Sequence, residues 1–163
     1  MVRKIFLLFV IFIITNCIGT YSFKTDRNNE VLVNDFRDYS FQIRPSIEDL
    51  KKIDTTAYYI QIFPENYINE DLLKNPQIFI FHNDGFYKRE SLKYFGNRDK
   101  YRNKNSIYYG GKYKIIEDEV FLESFGKYPG AKKWYKNITK GKILGDSLYF
   151  DEYTIFVKKY SIY

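Results

Sequence analysis

The stretch 111–123, "GKYKIIEDEVFLE", decides how this chain folds. Turned about Glu117-Asp118, it sets Ile115 opposite Val120 and Tyr113 opposite Leu122 on one face. Lys114 then opposes Phe121, and Lys112 opposes Glu123, on the other. Apolar pairs on one face and a mainly polar set on the other are the pattern of an antiparallel hairpin packed on one side. The stretch "GKILGDSLYF", from Gly141, repeats that order: Gly-Lys, an apolar strand, an acidic turn, an apolar strand. With Gly145-Asp146 as its turn, Ile143 opposes Leu148, and glycine in first place suits a tight primed turn. Glu117-Asp118 is poorer turn chemistry and predicts a longer loop there.

The same signals extend in both directions. "QIFIF" (77–81) is apolar on both faces and reads as an inner strand. It leads into Asp84-Gly85, a strong hairpin signal, and "FYKRE" returns. "AYYIQIF" (57–63) and "YTIFVKK" (153–159) are rich in β-branched and aromatic residues. The spacing predicts strands over 57–63, 77–82, 86–92, 106–109, 112–116, 119–125, 133–144 and 147–158, the last two with room for a bend. Two segments read as helical. "SIEDLKKI" (46–53) has Ser46 as N-cap and Asp49 in its first turn. "PENYINEDLLKNP" (64–76) starts and stops at prolines. Aromatic residues make up 20% of the chain, 17 Tyr and 15 Phe, and they favour pleated, half-buried surfaces. The fold class is therefore mainly β: an antiparallel meander of about eight strands, a barrel or a two-sheet sandwich, with one or two short helices.

The repeated Gly-x-[Tyr/Ile], acidic-turn, apolar-strand hairpins over roughly 53–159 resemble those of small lipocalin-like envelope lipoproteins. The Gly-x-Trp that opens true lipocalins is absent, and Trp134 lies late in the chain.

At the other end of the sequence, Arg3 and Lys4 precede ten consecutive apolar residues, Ile5–Ile14. Ten helical residues span about 15 Å, half of a bilayer core, so the run fits the apolar region of a secretory signal. Ile14-Thr15-Asn16-Cys17 follows directly and resembles the lipobox of bacterial lipoproteins, with Asn16 where that family has Gly, Ala or Ser. The resemblance implies a diacylglycerol on the Cys17 thiol, cleavage before it and an acylated (palmitate-type) new amino terminus. Ile18 in place of Asp implies outer-membrane sorting. Two alternatives remain: an ordinary signal cut after Gly19, and an uncleaved anchor. The organisation expected is 1–16 signal peptide, 17–40 lipid-anchor Cys17 and polar tether, and 41–163 β-rich globular domain. Cleavage before Cys17 leaves 147 of the 163 residues, enough to bury roughly 68–70% of the unfolded surface without a disulfide or metal. Cys17 is the one cysteine of the chain, so no intramolecular disulfide can form.

The net charge is +6. Loss of Arg3 and Lys4 leaves +4, compatible with anionic lipid, polysaccharide or an acidic envelope protein and too weak to argue for nucleic acid. The segment 88–104 carries Lys88, Arg89, Lys93, Arg98, Lys100, Arg102 and Lys104 against Glu90 and Asp99, a candidate anion-binding loop. Trp134 and Tyr135, beside Lys132 and Lys133, are candidate aromatic ligand contacts. His82 is the one histidine, so a Ser–His–Asp triad or a typical zinc site finds little to build on. No phosphate-binding loop, dinucleotide fingerprint or metalloprotease motif is present, and no cofactor is called for. The expectation is a membrane-anchored envelope protein with a non-catalytic binding or structural domain. Two alternatives stand beside it. A glycan hydrolase could use a carboxylate pair from Glu117, Asp118, Glu119, Asp151 and Glu152, about 5–9.5 Å apart in one groove. A barrel could carry an apolar ligand in a cavity of roughly 300 Å³ or more.

Overall fold

The computed structural model describes residues 20–95 and 102–160. Its strands are β1 (Thr20–Tyr21), β2 (Lys24–Thr25), β3 (Val31–Leu32), β4 (Tyr58–Ile62), β5 (Gln77–Phe81), β6 (Phe86–Ser91), β7 (Gly110–Ile116), β8 (Glu119–Gly126), β9 (Trp134–Leu144), β10 (Ser147–Tyr149) and β11 (Ile155–Lys159). Three short helices accompany them: α1 (Asp35–Asp38), α2 (Ile47–Lys52) and α3 (Glu70–Lys74). From β4 to β11 each strand pairs antiparallel with the next, and β11 returns to β4 from Ile155↔Ile62 to Lys159↔Tyr58. Eight strands thus close into a barrel, and β1 adds an extra strand along the start of β9.

The two hairpins that set the sequence reading have the expected registers. Ile115 pairs with Val120, Tyr113 with Leu122 and Lys112 with Glu123, while Ile143 pairs with Leu148. Gly145 takes a positive φ of 56°. The β7–β8 turn is as tight, two residues between paired Ile116 and Glu119, because Glu117 itself accepts a φ of 53°. At the β5–β6 turn only the glycine of Asp84-Gly85 is left-handed, with φ 88°.

Inward positions alternate along every strand, and an eight-stranded barrel is just wide enough for side chains to fill it. Tyr59, Phe79, Phe81, Tyr87, Tyr113 and Phe156 dominate the interior. Phe79 stacks on Phe156 at 4.3 Å, and Phe81 meets Tyr113 edge-on at 5.0 Å. One end is closed by α2, whose Ser46–Asp49 capping box is complete. Ile53 plugs the core there, fully buried, and the Lys52 ammonium donates to the Glu117 carbonyl at 2.6 Å.

Besides the longer loop expected at Glu117-Asp118, three expectations are corrected. Residues 106–109 form a turn, with the Tyr109 N–H on the Ser106 carbonyl at 2.9 Å and a single bridge from Ser106 to Leu32. The eighth strand comes instead from 147–158, which breaks at 150–154 into β10 and β11. Within 64–76 only Glu70–Lys74 is helical, because the Asn69 side chain caps the Leu72 N–H and starts the helix there.

The third correction concerns the expected tether. Its described part, residues 20–40, is a strap laid across the outside of the barrel. The β2–β3 hairpin turns on Asp26, whose carboxylate accepts from the Asn28 and Glu30 N–H groups at 2.8 Å. Val33 and Tyr39 are buried with Phe86, Ile107 and Phe125, and Tyr21, Phe23, Val31 and Trp134 pack around them. Polar residues dominate the strap's count, but Tyr21, Phe23, Val31, Val33 and Tyr39 pack onto the barrel, while Phe36 stays exposed. The strap's end is held by Glu123, fully buried on the outer face of β8. That carboxylate accepts from the Ser40 N–H at 2.7 Å and the Phe41 N–H at 2.8 Å, and pairs with Lys136 at 2.7 Å.

Candidate functional site

The links 63–76, 127–133 and 150–154 lie at the barrel end opposite α2, and the link after β6 starts there, whereas Lys104 reaches back to Asp84 in the β5–β6 turn. A mouth of about 170 Å³ opens at the end opposite α2. Phe79, Tyr87, Phe150 and Phe156 supply its apolar wall, and Arg89, Ser124, Thr139 and Asp151 its polar groups. The register places them. Arg89 pairs with Phe79, so its side chain shares the inward face. Phe150 folds in over Gly141, where a Cβ would stand 2.8 Å from its ring. Burial pushes the Tyr87 phenol up. The Arg89 guanidinium makes no hydrogen bond or ion pair among the described residues, whereas the Asp151 carboxylate accepts the Tyr153 N–H at 2.8 Å. The mouth therefore offers an aromatic wall beneath an uncommitted cation. Larger recesses of about 540 and 560 Å³ lie along the strap and at the α2 end, and both are somewhat more open to solvent than the mouth.

The candidate anion-binding residues do not gather into one patch. Lys88 points outward from the barrel, is buried and pairs with Glu90 at 2.7 Å. Alternation along β6 sends its neighbour Arg89 inward, which separates two residues adjacent in sequence. Lys93 is exposed, 5.7 Å from the Tyr94 ring centre. Arg102 lies 3.5 Å from Glu30 and donates to the Tyr108 carbonyl, and Lys104 pairs with Asp84 at 2.7 Å. Arg98, Lys100 and Cys17 lie outside the described residues.

Trp134 and Tyr135 open β9 at the mouth end. Trp134 is half-buried against Phe23 and Tyr108, with the Lys127 ammonium 5.4 Å from its ring centre. Tyr135 stacks on Tyr128 at 4.4 Å. The acidic candidates are dispersed. Asp118 lies 3.5 Å from Lys52, Glu119 pairs with Lys140 at 2.7 Å, and Glu117 and Glu152 are exposed. His82 is half-buried rather than open to solvent. Its Nε2 lies 2.7 Å from the Tyr109 hydroxyl, and its carbonyl accepts from the Tyr113 hydroxyl. Burial, with Lys104 nearby, lowers the His82 pKa. Among the described residues no three His, Cys, Asp or Glu side chains converge as a metal site.

Sequence reasoning missed Glu123 and the mouth residues other than Arg89 and Asp151. The inward phase of β5 and β6 could have grouped Phe79, Tyr87 and Arg89. The inward phase of β8, through Val120 and Leu122, reaches Ser124 as well, but nothing local signals Phe150, which closure of the barrel brings in. Comparison with known protein families, curated proteins and solved structures gives no match.

Proposed function

We propose that the chain is a lipid-anchored protein of the bacterial cell envelope, at the outer membrane, whose barrel binds a small anionic ligand at its open end. The lipobox-like stretch ending at Cys17 supports the anchor. One observation carries the binding role: the uncommitted Arg89 guanidinium faces the aromatic wall of the mouth. A dry apolar cavity of about 150 Å³ holds a benzene ring, so the mouth suits a carboxylate with one ring or a short branched chain. The filled interior favours this shallow site over a deep carrier cavity, and the dispersal of the acidic side chains favours binding over carboxylate-pair hydrolysis.

Two measurements test the reading. Intact mass after expression in a lipoprotein-processing bacterium should give a chain beginning at Cys17 with added acyl mass, lost in Cys17→Ser. A soluble chain beginning at Thr20 would end the anchor argument. Titration with benzoate, followed by NMR, should move resonances of Phe79, Tyr87 and Ser124. Arg89→Gln should weaken that binding about tenfold or more, the worth of a hydrogen bond to a charged group. Equal affinity in the variant would remove Arg89 from the site.

A further inference from the structure

We propose that the β8–β9 end of the barrel rests on the bilayer surface, with Tyr108, Tyr128, Trp134 and Tyr135 at headgroup depth and Lys127, Lys132 and Lys133 against anionic lipid. The inference rests on acylation of Cys17, and the chain's own geometry takes it from there. Thr20 is already in the sheet, paired with Tyr135, and Tyr21 is paired with Trp134. Only Ile18 and Gly19 lie between Cys17 and Thr20, so the two Cα atoms are three chain steps apart. Fully extended, those steps reach at most about 11 Å. A tether running to residue 40 would let the barrel stand away from the membrane, but the strap removes that freedom. An acylated Cys17 lies in the headgroup layer, several ångströms thick on each side of the hydrocarbon core. Trp134 and Tyr135 are thereby held beside that layer.

Their chemistry suits the place. Trp and Tyr concentrate where bilayer meets water, because each has an apolar ring and a polar handle. Tyr108, edge-on to Trp134, is 51% exposed, and Tyr128, stacked on Tyr135, is 61% exposed. Residues 127–135, "KYPGAKKWY", carry three lysines and no acid. Lys132 and Lys133 are exposed, as a basic pair that meets anionic headgroups must be. The mouth opens at this same end, so its ligand would enter from the membrane side.

Trp134 is the one tryptophan of the chain, so the protein's own fluorescence reports on it. The full chain, with its acyl mass verified, is placed in phosphatidylcholine–phosphatidylglycerol vesicles brominated in the upper acyl chain. Emission should shift to the blue and fall to about half of its value in unbrominated vesicles, as for an interfacial tryptophan. Lys132→Glu with Lys133→Glu should restore most of that emission, with acyl mass, vesicle flotation and melting temperature unchanged. Acylated, vesicle-bound protein whose Trp134 emits equally in both vesicle types, and is freely quenched by acrylamide, would overturn the docking while leaving the anchor in place. Absence of acyl mass would overturn the anchor, and the docking with it.

Discussion

Glu123→Gln lowers the melting temperature by about 10 °C, corresponding to about 3 kcal/mol or more for a chain of this length. The carboxylate is fully buried on the outside of the barrel. Its two oxygens receive the Ser40 and Phe41 N–H groups and the Lys136 ammonium. Glutamine keeps the shape but replaces one acceptor oxygen with a donor and leaves the largely buried Lys136 without its counter-charge. Removing one partner of a buried pair is expensive because the other charge stays desolvated. Lys136 also donates to the Ser40 hydroxyl at 2.6 Å, which ties the stranded ammonium to the strap's end. Glu119→Gln is the control. Its pair with Lys140 joins the same two strands at the same 2.7 Å but is open to solvent, and exposed pairs contribute about 1 kcal/mol or less. Thermal unfolding of both variants decides the matter: equal shifts would mean that Glu123 does not hold the strap. Lys136→Met added to Glu123→Gln should recover part of the loss, since the stranded charge goes with it.

Gly111→Ala weakens the barrel by about 3 kcal/mol or more, the upper range of overpacking. A Cβ at Gly111 would stand 1.9 Å from the Glu123 carbonyl oxygen and 3.0 Å from its carbonyl carbon. These are backbone atoms of the neighbouring strand, so no rotamer change relieves the clash, and β7 must part from β8. That separation would start at the strand that also carries the Glu123 side chain, so the strap should loosen with it. Gly130→Ala is the contrast. Gly130 has a φ of 76° with nothing within 4 Å of an added Cβ. Its substitution brings only the strain of a left-handed residue, about 1–2 kcal/mol. Urea denaturation should rank Gly111→Ala well below Gly130→Ala, and the reverse order would show that the two strands yield readily.

The hairpins were legible because their information is local. A two-residue turn and period-2 alternation fix which residues face one another, and the pairing of Lys112 with Glu123 follows from counting outward from Glu117-Asp118. The capped start of α2 at Ser46 is equally local. The reading of 106–109 as a strand failed because an aromatic, β-branched composition does not distinguish a strand from a turn whose hydrogen bonds close on themselves. The candidate anion-binding loop was only a linear run of charge, and alternation along β6 divided it between a buried outer pair and an inward-facing mouth.

The sequence by itself determined the strand-rich meander, the registers of its tightest hairpins and the expectation of an acyl anchor at Cys17, since each depends on residues a few positions apart. Tertiary structure alone decided that β11 closes on β4, that residues 20–40 wrap the barrel instead of trailing from it, and that Glu123 is buried while Arg89 is left uncommitted. These depend on contacts between segments about 80 to 115 residues apart, such as Ser40 with Glu123, Tyr58 with Lys159 and Thr20 with Tyr135. Whether a charge is covered or open is a property of what packs above it, and no local pattern carries that information.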